Sequence, residues 1–228
     1  MGLGGAWREV KKAYERIAAV YERANKIVTF GNVDRWRREA VSLFYSLNGA
    51  GALKVLDAGA GPGNMAAHLK DPKYVVALDA TLEMLYVNNT AEDRVLGLFE
   101  YMPFRNKAFD VVVAGYSLHA AVDLEKAVAE FSRVASYQAV VSIGKPDNLL
   151  IRTLLYLYTR FIVPLLVCII TRKEVCREYK KIYVIIKALP PNSKFREVVS
   201  KRADHLVFQT RGLGGIYIYV AKSTWDSK

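Results

Sequence analysis

Apolar residues in the first fifty positions recur at helical spacing. Val10, Ala13, Tyr14, Ile17, Ala18 and Tyr21 fall on one stripe, which predicts a helix from Trp7 to about Ile27. Gly31 and Asn32 interrupt it, and a second helix of about twelve residues is expected through Leu47. From position 53 the period shortens. Apolar runs at 53–56, 74–78, 94–98, 108–114 and 139–143 read as strands, with helices expected over 64–69, 81–89, where Thr81 offers a cap, and 124–135. Strands this apolar cannot face water, so the alternation points to an α/β fold, a largely parallel sheet with helices on both faces. After an apolar insert at 149–189, the Pro-Pro-Asn turn leads into a helix from Ser193, and closing strands are expected at 206–210 and 216–221.

The insert is the most apolar part of the chain. Arg152, Arg160 and Pro164 interrupt it before an uninterrupted run reaches the ~20 residues of a membrane span, so it reads as a pocket cover or a surface helix. The first residues form a charged helical stretch and not a secretory signal. With 228 residues, a single domain over 1–228 is expected, with a helical cap at 1–50 and a helical insert or lid at 147–192.

Thirty-three Lys and Arg against twenty-two Asp and Glu give a net charge of +11, which favours anionic surroundings. Zinc-finger spacing and aromatic RNA-binding strands are both missing, so nucleic acid is not the expected partner. Cys168 and Cys176 are too few for a disulfide framework; they read as buried thiols in a reducing, cytoplasmic compartment, and no metal-ligand set accompanies them.

The stretch VLDAGAGPGN carries the chemistry. Alternating Gly59, Gly61 and Gly63 permit the close backbone approach that a bound nucleotide needs. Asp57 sits two residues before that loop, where it would oppose a pyrophosphate but tolerates a phosphate-free, cationic cofactor. Asp79 follows 22 residues later, at the spacing of a carboxylate that receives two ribose hydroxyls. Met102, Pro103 and Phe104 offer an apolar wall for a base. A nicotinamide enzyme is disfavoured, because Asp57 crowds the loop and no hydride-transfer constellation is found.

These motifs resemble the class I methyltransferases that use S-adenosylmethionine, and more narrowly the family that C-methylates ubiquinone and menaquinone precursors. YERANKIVTFGNVDRW is similar to that family's first signature through Tyr21, Asn25, Thr29 and Trp36, and YLYTRFIVPLL to its lid. Departures stand at Val33, at Leu98 in place of the usual adenine-binding acid, and at His119–Ala120 in place of an Arg-Asn pair. The resemblance implies a Rossmann-like fold, a seven-stranded mostly parallel sheet with an antiparallel last strand. It also implies S-adenosylmethionine as cofactor, held by Asp57, Gly59, Ala60, Gly61, Gly63, Asp79, Ala80, Met84, Phe99, Glu100, Tyr116 and Tyr21.

His119, with an ordinary pKa near ~6.5, and Tyr21 are the candidate catalytic residues. The expected reaction is methylation of a small, lipophilic quinone-precursor ring. The alternatives are N- or O-methylation of another small metabolite and a non-catalytic protein that binds S-adenosylmethionine. Peripheral membrane contact and a homodimer are both compatible with this reading.

Overall fold

The structure, a computed structural model, describes residues 1–17, 20–49, 51, 53–171 and 173–224, without the side chains of Tyr21, Ile170, Lys173, Glu174, Val175 and His205. Seven strands make one sheet: β1 Lys54–Ala58, β2 Tyr74–Asp79, β3 Asp93–Leu96, β4 Phe109–Gly115, β5 Ala135–Ile143, β6 Ala203–Arg211 and β7 Ile216–Ser223. Their order is β3-β2-β1-β4-β5-β7-β6, and β7 alone runs antiparallel to its neighbours, as expected for the last strand.

The two-residue period of the strands creates two cores. Val111 and Val113 of β4 point into one, Val112 and Ala114 into the other, and all four are fully buried. Helix α3 (Val33–Asn48) covers the first face with Val33, Ala40, Val41 and Phe44. Helices α5 (Leu124–Val134) and α10 (Asn192–Ser200) cover the other with Leu124, Phe131, Phe195 and Val199. Each buried Val, Leu or Phe among them contributes about 1.5–3 kcal/mol. The remaining helices are α1 (Trp7–Ile17), α2 (Tyr21–Val28), α4 (Leu82–Tyr86), α6 (Leu149–Leu157), α7 (Val163–Ile170), α8 (Lys173–Glu178) and α9 (Lys181–Ala188).

Three local expectations change. The helix expected over 64–69 is only a 3-10 turn, Ala66–His68, because the chain must reach β2 within a few residues and Pro72 closes the way to further helix. Thr81 does not cap α4; its hydroxyl donates to Asp79 Oδ1 at 2.7 Å. Cys168 and Cys176 are not free thiols: they form a disulfide between α7 and α8, which the turn between these helices brings together.

Within the insert, α6 passes into α7 through a π-turn, Tyr158–Ile162. The cause is Pro164, which has no N–H and whose ring would strike the carbonyl four residues back, so the helix widens ahead of it.

Gly63 shows how tightly the loop is built. It has φ +94°, and a Cβ there would lie 2.0 Å from Thr90 Oγ1. Gly63→Ala is therefore expected to destabilise the fold by about 2–4 kcal/mol, with Thr90→Ala restoring part of the loss; urea unfolding measures both.

Candidate functional site

Strand order reverses between β1 and β4, and a crevice opens at their carboxyl ends, where ligands of such sheets bind. The loop after β1 supplies Gly59, Ala60 and Gly61 to its wall, β2 ends in Asp79 and Ala80, and α4 adds Met84. Leu98, Phe99 and Glu100 close the side beyond β3, and Tyr116 and Ser117 the side beyond β4.

Asp79 holds the loop in register. Its Oδ2 accepts the Gly61 N–H at 3.0 Å, and its Oδ1 accepts the N–H and hydroxyl of Thr81 at 2.9 and 2.7 Å. Burial pushes its carboxyl above the usual range. Glu100 accepts the Asp123 N–H at 2.9 Å, so it orders the amino end of α5 as well as lining the cleft.

Two of the expected residues stand behind the wall. Asp57 is buried beneath the loop, where its Oδ2 accepts the Ala66 N–H at 3.2 Å; burial pushes its carboxyl up to about 7. It fastens the loop's return to β1. Gly63 meets Thr90 and not the cleft. Met102 and Phe104 belong to the core, Phe104 edge-on to Phe109 at 5.0 Å, so the apolar wall is made by Leu98, Phe99 and Met84 instead. Tyr21 opens α2, and its side chain lies outside the described residues.

Four residues of the cleft had not been expected. Arg37 is 1% exposed and donates to both oxygens of Glu22, at 2.8 and 3.2 Å, and to Asp34 at 2.9 Å. Asn64 of the glycine loop donates to the same Glu22 at 2.8 Å, so one buried cation ties α2, α3 and the loop together. The signal was present in the sequence: Arg37 interrupts the apolar stripe of α3. Trp7 and Tyr14 of α1 cover the cleft and leave about 70 Å³ beneath them, well short of the roughly 300 Å³ at which ligand pockets begin. Helix α1 is held by the Leu3 and Gly4 amides, which donate to Ala121 and Val122, and by Arg16 on Glu178.

A second, apolar cavity of about 500 Å³ adjoins the first. It lies between α1, α2, α3 and the insert, lined among others by Ala13, Val28, Trp36, Leu155, Thr159 and Ile186. Tyr14 and Tyr116 line both chambers. Tyr116 sits at φ +60°, a left-handed conformation that costs a bulky residue energy and is found where function demands it. The Arg37 guanidinium packs 5.4 Å from its ring centre.

His119, a candidate for a base or for a group that orients the acceptor, faces the apolar cavity. Its Nε2 lies 3.1 Å from the Tyr14 hydroxyl, and its Nδ1 lies 2.9 Å from Ser142 Oγ, which also accepts the His119 N–H. Burial pushes the imidazole down to about 3, so it is neutral at physiological pH. A neutral ring with a partner on each nitrogen orients its neighbours.

The residues fit S-adenosylmethionine. A half-buried carboxylate with two acceptor oxygens meets a diol, and Met84, Leu98 and Phe99 suit a base. The space left beneath Trp7 and Tyr14 is smaller than the molecule, so α1 is expected to move when it binds.

Comparison with known proteins agrees with this arrangement. Residues 56–143 match the family described as a methyltransferase domain. The chain is 30% identical over 168 residues to the demethylmenaquinone methyltransferase of Roseiflexus sp. (strain RS-1), with 69% of each chain covered. It is 29% identical over 170 residues to the ubiquinone/menaquinone biosynthesis C-methyltransferase UbiE of Syntrophotalea carbinolica, covering 69% of this chain and 70% of the other. In fold it matches an S-adenosylmethionine-dependent methyltransferase of Thermotoga maritima with a TM-score of 0.61, at 15% identity and over 94% of this chain and all of that one.

Proposed function

The chain belongs to the family of S-adenosylmethionine-dependent methyltransferases that includes the demethylmenaquinone methyltransferases, and from that membership we propose that it methylates a ring carbon of a lipophilic quinone precursor. One observation carries the choice of acceptor: the chamber beside the cofactor cleft is apolar and about 500 Å³ in volume, and it meets the cleft at Tyr14 and Tyr116. A polar metabolite would leave that chamber without a purpose. The expected site is peripheral to a membrane, since the acceptor dissolves in lipid.

The cofactor supplies an electrophilic methyl group on a sulfonium. The protein has to place the ring carbon in line with it and keep water away during transfer; the sulfonium's electron pair stays on the departing sulfur, and the proton the ring gives up is released to solvent. Trp36, Leu155 and Ile186 exclude water from the chamber, and strain at Tyr116 fixes the ring at its mouth. Tyr14 is the group placed to meet a hydroxyl of the acceptor. In the tautomer whose Nδ1–H donates to Ser142 Oγ, the Tyr14 proton is directed to His119 Nε2 and its oxygen lone pairs are left to accept the acceptor's O–H, so that the adjacent ring carbon turns toward the cleft. His119 thus acts through Tyr14 as a positioning residue.

The test is transfer of labelled methyl from S-adenosylmethionine to a demethylated naphthoquinol, set against small amines and RNA. Label in the quinol is the expected result; label only in a polar acceptor would reassign the substrate. Tyr14→Phe is expected to lower kcat on the quinol by about 10–100-fold, the loss of one buried hydrogen bond, while KM for the cofactor changes little. Steady-state kinetics with each substrate varied in turn separates the two. Because His119 is already neutral, the kcat profile of the native enzyme should show no limb near pH 6.5.

A further inference from the structure

The insert leaves one face of its helix uncovered. Along α6, the π-turn and α7, the residues Leu150, Leu154, Leu157, Phe161, Leu165 and Ile169 follow one another at steps of three or four, which keeps them on one side. Each is more than half exposed, from 51% at Leu157 to 74% at Ile169. The stretch Leu149–Ile169 is long and apolar enough to cross a membrane, yet only 22% of its most apolar part is buried in the protein. It does not act as a span, because the other side of the same helix closes the apolar chamber with Leu155, Thr159 and Val163.

Two further observations say what covers this face. Phe30 and Leu213, 75% and 77% exposed, line the apolar chamber together with Leu154, so its rim continues the exposed stripe. The insert and the helices that follow it, 149–188, carry eight Lys and Arg against two Glu. Among the described residues of this segment the cations Arg160, Arg177, Lys180 and Lys187 are exposed, while Glu178 is engaged by Arg16 and Lys181, so the segment carries an excess of positive charge that a second copy would repeat and an anionic headgroup layer would neutralise.

We propose that this face docks on an anionic lipid bilayer, with the Leu150–Ile169 stripe lying in the interfacial plane and the mouth of the apolar chamber opening into the acyl layer. The proposal rests on the reading that the acceptor is lipophilic: such a molecule would then pass from the bilayer into the chamber without crossing water. An exposed apolar helix face in a segment of net positive charge is the kind of element that binds in the membrane plane.

The test uses the full chain and extruded vesicles of phosphatidylcholine, alone or mixed with phosphatidylglycerol. Flotation is expected with the anionic vesicles and is expected to weaken with salt. The triple variant Leu150→Glu, Phe161→Glu, Leu165→Glu alters exposed positions outside the chamber lining. Its vesicle affinity should fall at least about tenfold, while S-adenosylmethionine binding and transfer to a short-chain, water-soluble quinol stay as in the native protein. Failure of the native chain to float on anionic vesicles, or equal flotation of the variant, would overturn the proposal. So would a native dimer in sedimentation that the variant dissolves, since the face would then belong to a second copy. Loss of the quinone reading shows separately, as absence of transfer to any quinol by a protein that still floats.

Discussion

Asp79→Ala is expected to weaken the binding of S-adenosylmethionine and of S-adenosylhomocysteine alike, by about 100-fold or more. The carboxylate does two jobs that alanine cannot. It presents two oxygens to the cleft, and each charge-assisted hydrogen bond to a hydroxyl is worth about 1.5–3 kcal/mol. It also gathers the Gly61 and Thr81 N–H groups and the Thr81 hydroxyl, which hold the glycine loop against α4. Without it those donors lose their acceptor and the loop its shape. Asp79→Asn keeps the shape and one acceptor, so its loss should be closer to tenfold. Titration calorimetry with both ligands decides the matter: a variant within threefold of the native protein would move the ribose site elsewhere in the cleft.

The second large effect is on stability, and it is hidden in the native protein. Burial raises the Asp57 carboxyl from 3.8 to about 7, so the folded chain holds that proton after the unfolded chain has released it. Its contribution is complete below about pH 4 and is lost as pH rises to 7, on the order of 4 kcal/mol. His119 runs the other way. Its folded pKa is about 3 against 6.5 unfolded, so its contribution is complete above pH 6.5 and is lost as pH falls toward 3, on the order of 5 kcal/mol. Between about pH 4 and 6.5 the two oppose each other. His119→Gln should unmask a stability that falls from pH 4 to 7, and Asp57→Asn one that rises from pH 3 to 6.5. Taken as differences from the native chain at each pH, urea-derived stabilities cancel every group but the one replaced, so the His119→Gln difference should fall from pH 3 to 6.5 and the Asp57→Asn difference rise from pH 4 to 7. Flat differences in both variants would show that neither group changes its ionisation on folding.

The sheet was legible because its strands carry their own evidence. FDVVVAG can only be a strand buried on both faces, and the acid that closes β2 announces the ribose position by its distance from the loop. Three kinds of feature were not legible. The turn at Ala66–His68 has helical composition, and only the length of chain left before Pro72 prevents a helix. The Cys168–Cys176 bond depends on how α7 turns into α8, which no spacing of two cysteines reveals. Tyr14 sits among the residues that pack α1, so nothing in the pattern distinguished it from core, whereas the charge of Arg37 within the stripe of α3 was visible but named no partner. The contact between Tyr14 and His119 spans 105 residues of sequence and exists only because α1 folds back over the ends of β1 and β4.

Helix α1 is a wall of both chambers, and this imposes an order on events. An acceptor seated in the apolar chamber holds Tyr14, and with it the helix that must lift before a nucleoside can pass. The cofactor is therefore expected to enter first and its demethylated product to leave last, and initial rates should fall at an excess of acceptor, because the exchange on which the next cycle depends is then slowed.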